Sequence, residues 1–338
     1  MGEENDYNKS YTEYVDDGSL GNKKEVYCID LKKEDEEDEE EEDEVNCENV
    51  LFNIDKSLIC VSESCPDIPD IDEDKKIKFS NKIFGQKFVE DNKDNITLII
   101  NGVESELIDE FDLQKGRNDI QMIINNQLTN LEYMFEYAVF LENIEELKYL
   151  NMEKVNNFSH MFYGYSSLID INALKKWNVS NGNNYSYMFS NCSSLKDIKP
   201  LKKWNVSNGN NFEGMFKSCN SLPDIRYLEN WNVSNVNNFS YMFSACSSLN
   251  DIKSLETWNI SNGIDFSYMF QNCSSLRNIN SLQNWNISNG KNFSYLFYGC
   301  YLLSDIRLLE NWNISKGNNV SHMFVGCSSL LLIKPLEK

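Results

Sequence analysis

A phrase of 27 residues returns without insertion through the last two thirds of this chain. Its aromatic pair stands at Met134-Phe135, Met161-Phe162, Met188-Phe189, Met215-Phe216, Met242-Phe243, Met269-Phe270, Leu296-Phe297 and Met323-Phe324. A Trp keeps the same interval at Trp177, Trp204, Trp231, Trp258, Trp285 and Trp312. One such unit is too short to bury its own apolar residues, so it must bury them against the next unit, and the period predicts a stacked solenoid.

The columns that stay apolar define the expected core: Leu195, Ile198, Leu201, Trp204, Val206, Phe212, Met215, Phe216, Cys219 and Leu222 span one turn of the phrase. The S-L-x-D-I piece, at Ser194 to Ile198 and its equivalents, is expected to lead into one strand per rung, the strands pairing in parallel along one face. The NFSYMF piece is expected to form a helical or 3₁₀ turn opposite, because Phe212, Met215 and Phe216 fall at i, i+3 and i+4. Gly182, Gly209, Gly263, Gly290 and Gly317 recur in the Asn-rich connection between them and suggest a positive φ there, although Val236 takes the same column. The fold expected is thus an α/β solenoid, a leucine-rich-repeat-like right-handed stack with a parallel sheet on one face and short helical or 3₁₀ turns opposite. Eight rungs at strand spacing would stack to roughly 35–40 Å.

Charge divides the chain. Of the net −22, none falls from Leu128 onward, where 17 basic residues meet 17 acidic ones; the first 127 residues carry the whole imbalance. Residues 1–75 read as an acidic, largely disordered arm, with eleven consecutive carboxylates from Glu34 to Glu44 that repel one another and bury nothing. A basic partner suits that run. Nucleic acid does not suit the chain, since its binding rests on a basic surface. The short apolar stretches beside the run, VYCID and VLFNI, are able to dock on the folded body. From residue 76 to 127, KIKFS, ITLIINGVESELI and NDIQMIINN read as strands and IFGQKFVEDN as a short helix, together a small β-rich cap for the exposed end of the stack. The start carries neither a basic flank nor an apolar stretch of signal-peptide type, and no run is long enough to span a bilayer, so a cytoplasmic location is expected, with surface display or non-classical secretion as the alternative.

Chemistry-bearing motifs are sparse. Cys192, Cys219, Cys246, Cys273, Cys300 and Cys327 fall one per rung inside apolar phrases and read as a buried thiol ladder, in preference to disulfides or a metal site. The repeated sequons, Asn178-Val179-Ser180 among them, read as turns closed by Asn and Ser side chains in preference to glycan acceptors. His160 and His322 occupy the column of Tyr187, Tyr241, Tyr268 and Tyr295, a position that tolerates a large ring with a polar edge. No nucleophile–base set, phosphate loop or dinucleotide fingerprint is present in the sequence, and neither catalysis nor a cofactor is expected.

Outward positions of the expected strand form two charged columns: Asp170, Asp197, Asp224, Asp251 and Asp305, with Asn278 as the exception, and two residues on, Lys199, Arg226, Lys253, Arg307 and Lys334, with Asn172 and Asn280 as exceptions. They either compensate one another in water or form a docking strip for a protein, with Asp197, Lys199, Asp224, Arg226, Tyr227, Asp251, Lys253, Asp305, Arg307 and Leu308 as its residues and the two arginines as anchors. The acidic arm is a conceivable intramolecular competitor for that strip.

The phrase WNVSNxxNFSYMFxxCSSLxDI, carried here by Trp204, Asn205, Ser207, Asn208, Asn211, Phe212, Met215, Phe216, Cys219 and Leu222 and their equivalents, resembles the BspA-like leucine-rich repeats. More narrowly it resembles the Mycoplasma-type surface-lipoprotein repeat, and the segment before it looks like the leader of such proteins in unicellular eukaryotes. The resemblance covers about residues 128–338. It implies a non-enzymatic protein–protein interaction scaffold or structural subunit, with an extracellular or surface adhesin as the alternative.

Overall fold

The structure, a computed structural model, describes residues 49–55, 82–111, 117–139, 141 and 143–330. The acidic run Glu34–Glu44, the KIKFS segment and Cys28, Cys47, Cys60 and Cys65 lie outside the described residues.

A small antiparallel sheet precedes the repeats. Strands β1 (Asn49–Asp55), β2 (Ile96–Ile100), β3 (Val103–Glu106) and β4 (Arg117–Ile124) stand in the order β1-β4-β2-β3. The VLFNI stretch of the amino-terminal region is thus part of this sheet, paired with β4 from Asn49↔Ile123 to Asp55↔Arg117. Ile100 pairs with Val103 across a two-residue turn, and both of its central residues, Asn101 (φ 50°) and Gly102 (φ 82°), are left-handed, as the right-handed twist of a tight hairpin requires. Helix α1 (Gln86–Asn92) then seats the sheet on the repeats. Phe84 lies 5.8 Å from Phe88 and 5.8 Å from Phe135 of the first rung. The Gly85 amide donates to the Tyr133 carbonyl at 3.0 Å, an approach so close that a Cβ at Gly85 would fall on that carbonyl.

The repeats stack around one continuous core that runs from Ile83 to Cys327. Rungs are tied together through the NFSYMF segment. Phe212, Gly214, Phe216 and Ser218 donate their amides to the carbonyls of Asn238, Ser240, Met242 and Ser244 in the next rung at 2.7–2.9 Å. The amides between them, of Met215, Lys217 and Cys219, close turns on Phe212, Gly214 and Phe216. Alternate amides therefore point along the stack while their neighbours bend the chain, and single parallel bridges link Asn130, Asn157, Asn184, Asn211, Asn238, Asp265, Asn292 and Asn319 in succession.

The NFSYMF piece turns as expected, but it also carries the rung-to-rung bonding expected of the other segment. The S-L-x-D-I piece does not open a strand; it enters a 3₁₀ turn, such as Lys199–Lys203 or Lys253–Thr257, and one isolated bridge, Asp224↔Asp251, is the parallel pairing found there. A continuous parallel sheet along that face does not form. The reason is a spacing of three: Phe216, Cys219, Leu222, Ile225, Leu228 and Trp231 are all buried. A strand would send every second residue inward, whereas 3₁₀ geometry returns a side chain to the same face every third residue. The amides of Cys219, Leu222, Leu228 and Trp231 each bond three residues back, as that geometry demands.

Stacking fills the interior. Phe135, Phe162, Phe189, Phe216, Phe243, Phe270, Phe297 and Phe324 form one column at 5.5–5.9 Å between centroids. Each Trp donates its indole N–H to a Leu carbonyl of the preceding rung, as Trp231 does to Leu201 at 3.0 Å. The glycines of the Asn-rich connection do not take the expected positive φ. Gly209 is small for another reason: a Cβ there would lie 2.6 Å from the Phe212 ring, so the residue leaves room for the aromatic column.

Trp231→Phe removes a buried donor and leaves a small void, and is expected to cost about 2–3 kcal/mol. Trp312, half-exposed in the last rung, should lose about half as much on the same change. Urea unfolding of the two variants beside the parent chain measures both.

Candidate interaction surfaces

The charged columns lie on the 3₁₀ turns and not on strands. Each Asp first closes a turn on its own backbone: Asp197, Asp224, Asp251 and Asp305 accept the backbone amides of Lys199, Arg226, Lys253 and Arg307, two residues on, at 2.8–3.1 Å. The arginines then fold onto the Asp of their own rung, Arg226 Nε on Asp224 Oδ1 at 2.8 Å and Arg307 Nη2 on Asp305 Oδ2 at 2.6 Å. Hydrogen bonds from the Arg307 side chain and backbone hold the Asp305 carboxyl down to about 2. Burial alone would raise Asp224, but its bonds from Arg226 outweigh that and lower it. The intended anchors are thus already paired within the rung, while Lys199 and Lys253 make no ion pair among the described residues. A cleft of about 260 Å³ gathers Asp197, Asp224, Arg226 and Tyr227 with Lys196 and Ile198. Asp251, Lys253, Asp305, Arg307 and Leu308 lie outside it.

A second surface follows from the rung bonding. The turns of NFSYMF need two left-handed residues per rung, four apart. One of these columns holds Tyr137, Gly164, Asn191, Ser218, Ala245, Asn272, Gly299 and Gly326, chiefly the glycine, amide and small residues that such backbone favours. The other holds Tyr133, His160, Tyr187, Gly214, Tyr241, Tyr268, Tyr295 and His322, with φ of 55–60° throughout. Seven aromatic rings thus occupy a conformation that costs an ordinary side chain roughly 1–2 kcal/mol, where glycine would be free of strain.

Those rings stand in a half-exposed row on the face of the stack. Centroids are 4.5 Å apart from Tyr133 to His160, 4.9 Å to Tyr187, then 4.4 Å from Tyr241 to Tyr268, 4.6 Å to Tyr295 and 4.6 Å to His322. Burial between Tyr133 and Tyr187 pushes the His160 pKa down, against the pull of the Glu132 and Glu213 carboxylates. The repeat alignment reveals this column, yet not that it is exposed or left-handed, because both properties come from contacts 26 residues away.

The six repeat cysteines are free and buried, each Sγ–H donating to a Phe carbonyl of the preceding rung at 3.1–3.2 Å. Burial pushes every one of these thiols up, Cys246 to about 12 and Cys327 to about 11. Thiolate is the nucleophile and metal ligand, so this ladder is chemically quiet. No group of three or more His, Cys, Asp or Glu side chains among the described residues could hold a metal. The unfolded chain loses thiol protons near pH 8.5 while the folded ladder keeps them. The ladder's contribution to stability is therefore complete below about pH 8 and declines as pH rises toward 11–12, which unfolding curves across that range will register. A thiol-specific dye at pH 8 should spare these cysteines in the folded protein, with Cys327, the least buried of the six, the first to react.

The repeat phrase and the columns it builds match one family, described as Mycoplasma protein of unknown function, DUF285, over residues 129–227 and 223–332. No curated protein and no solved structure matches the chain. With its 27-residue rungs, its Trp and Cys ladders and this match across the stack, the chain belongs to the DUF285 family, the Mycoplasma-type, BspA-like repeat proteins.

Proposed function

We propose that this chain is a non-catalytic interaction module of the surface-adhesin type, and that the aromatic column is its recognition surface. The observation that carries the reading is the retention of seven rings at left-handed positions. Strained backbone is kept where the side chain does something that an unstrained residue cannot. Tyr is also among the residues that dominate interface energetics, combining a broad apolar body with a polar tip.

The Mycoplasma-type repeat, which resembles surface-lipoprotein repeats, favours surface display over the cytoplasmic location expected from the sequence. Among the described residues no helix is long and apolar enough to cross a membrane. The buried, protonated thiols and the absence of a catalytic constellation in the sequence support a role in binding. A second reading, a docking strip along the 3₁₀ turns with Arg226 as its anchor, draws on the cleft beside Asp197 and Tyr227.

Changing Tyr241, Tyr268 and Tyr295 together to Gly separates these readings. Each change forfeits stacking worth about 0.5–1.5 kcal/mol per pair and relieves about 1–2 kcal/mol of backbone strain, so each is expected to alter stability by no more than about 2 kcal/mol. Protease shaving of intact source cells should remove the parent protein. Beads coated with the full chain should adhere to the surfaces those cells contact, and the triple variant should lose about tenfold or more of that adherence while Arg226→Ala with Arg307→Ala retains it. The opposite ranking would transfer recognition to the charged strip; protection of the protein from shaving would return it to an intracellular scaffold role.

A further inference from the structure

One rung lacks the surface ring of the others while keeping its core. Where neighbouring rungs read Ser186-Tyr187 with Ser190, and Ser240-Tyr241 with Ser244, the fourth reads Glu213-Gly214 with Lys217. Its interior residues Phe212, Met215, Phe216 and Cys219 are unchanged in kind and fully buried. The three substitutions are adjacent on the aromatic face and remove one ring from the row.

The gap has a definite content. Lys217 Nζ lies 4.7 Å from the Tyr241 centroid and 6.0 Å from that of Tyr187. Rings elsewhere in the row stack at 4.4–4.9 Å, so on the Tyr241 side the ammonium stands at ring spacing, while the Tyr187 ring tips over Gly214 from the other side. It has no ion pair among the described residues and is held there by the two ring faces. Tyr187 leans over Gly214, and its hydroxyl donates to Glu213 Oε1 at 2.7 Å; the other carboxylate oxygen accepts Asn238 Nδ2 at 3.1 Å. Glu213 therefore has both oxygens engaged, whereas Lys217 is the one charge at the gap without a counterion.

We propose that this gap is a docking notch for an aromatic side chain flanked by acidic residues on a partner protein. The incoming ring stacks on the open face of Tyr241 and completes the row, and the displaced Lys217 ammonium pairs with a flanking carboxylate. Between the first and last rings of the row the other ring faces are covered by their neighbours, so in the interior of the row the notch is where a partner's ring can be received face to face. The inference rests on the aromatic column being a recognition surface and adds the partner's chemistry.

The test titrates the full chain with acetyl-Glu-Tyr-Glu-amide, following heat and the Lys217 ε-methylene resonances. Saturable binding is expected, with those resonances losing their upfield ring-current shift as the ammonium leaves Tyr241. Acetyl-Gln-Tyr-Gln-amide and acetyl-Glu-Ala-Glu-amide should each bind about threefold or more weakly. Gly214→Tyr installs the residue that the column carries elsewhere at the same φ; its Cβ would fall on the Tyr187 ring, so that ring swings aside, and the new ring fills the notch and should abolish binding. Lys217→Ser, the residue of Ser190 and Ser244, should erase the preference for acidic flanks yet still discriminate Tyr from Ala. Unfolding midpoints of both variants show whether each is folded; if Gly214→Tyr is not, Lys217→Ser and the three peptides decide alone. Equal binding to folded Gly214→Tyr, a flank preference that survives Lys217→Ser, or no saturation by about 10 mM peptide overturns the notch. Bead adherence that depends on the tyrosines while the peptide stays unbound would sink the notch alone and leave the adhesin reading in place.

Discussion

Every second amide of the NFSYMF segment is aimed along the stack at a carbonyl in the next rung, and the rest of the molecule follows from that bonding. Buried backbone groups need partners, and a rung this short cannot supply them internally. Sending Phe212, Gly214, Phe216 and Ser218 outward to the next rung, while Met215, Lys217 and Cys219 turn inward on their own, satisfies both sets. The alternation obliges the chain to visit left-handed backbone twice per rung. One of those visits falls to small residues and the other to aromatic ones, so the exposed row of rings is a product of how the backbone is satisfied.

The same accounting explains the polar atoms inside the core. Trp and Cys are the two repeat columns that bring a donor into an apolar interior, and each donates to a carbonyl in the preceding rung. These bonds reach 30 residues back, across the rung interface, and lock the register of one rung on its neighbour. At the start of the stack the columns are occupied differently yet serve the same ends: Tyr165 stands in the Cys column and donates its hydroxyl to the Leu141 carbonyl at 2.6 Å. The sheet and helix α1 close that end by supplying Phe84 to the phenylalanine column and Gly85 to the Tyr133 carbonyl.

Function, on this view, resides in a surface that the core made available. Beyond the first two rungs the buried columns vary little because each must stack on its like, so most differences between rungs fall at outward positions. Glu213, Gly214 and Lys217 change three of those positions together, and the two arginines of the 3₁₀ turns pair with the Asp of their own rung. On the proposed reading, affinity comes from the row of repeated rings and selectivity from the rung that breaks the row.

The amino-acid sequence determined the period, the core columns, the burial of the six repeat cysteines, strands β2 to β4 and helix α1, because each of these depends on local pattern and on like residues stacking on like; strand β1, in the stretch read as an acidic arm, became visible only through its pairing with β4. It also contained, unread, the three-residue spacing from Phe216 to Trp231 that distinguishes a 3₁₀ path from a strand. Only the tertiary structure decided which segment bonds rung to rung, why Gly209 is small and which aromatic residues face solvent. The spacing of Phe212, Met215 and Phe216 suits a helix turn equally well, and tyrosine disfavours left-handed backbone on its own. Both preferences yield to hydrogen bonds made to the next rung, and those exist only once the rungs are stacked.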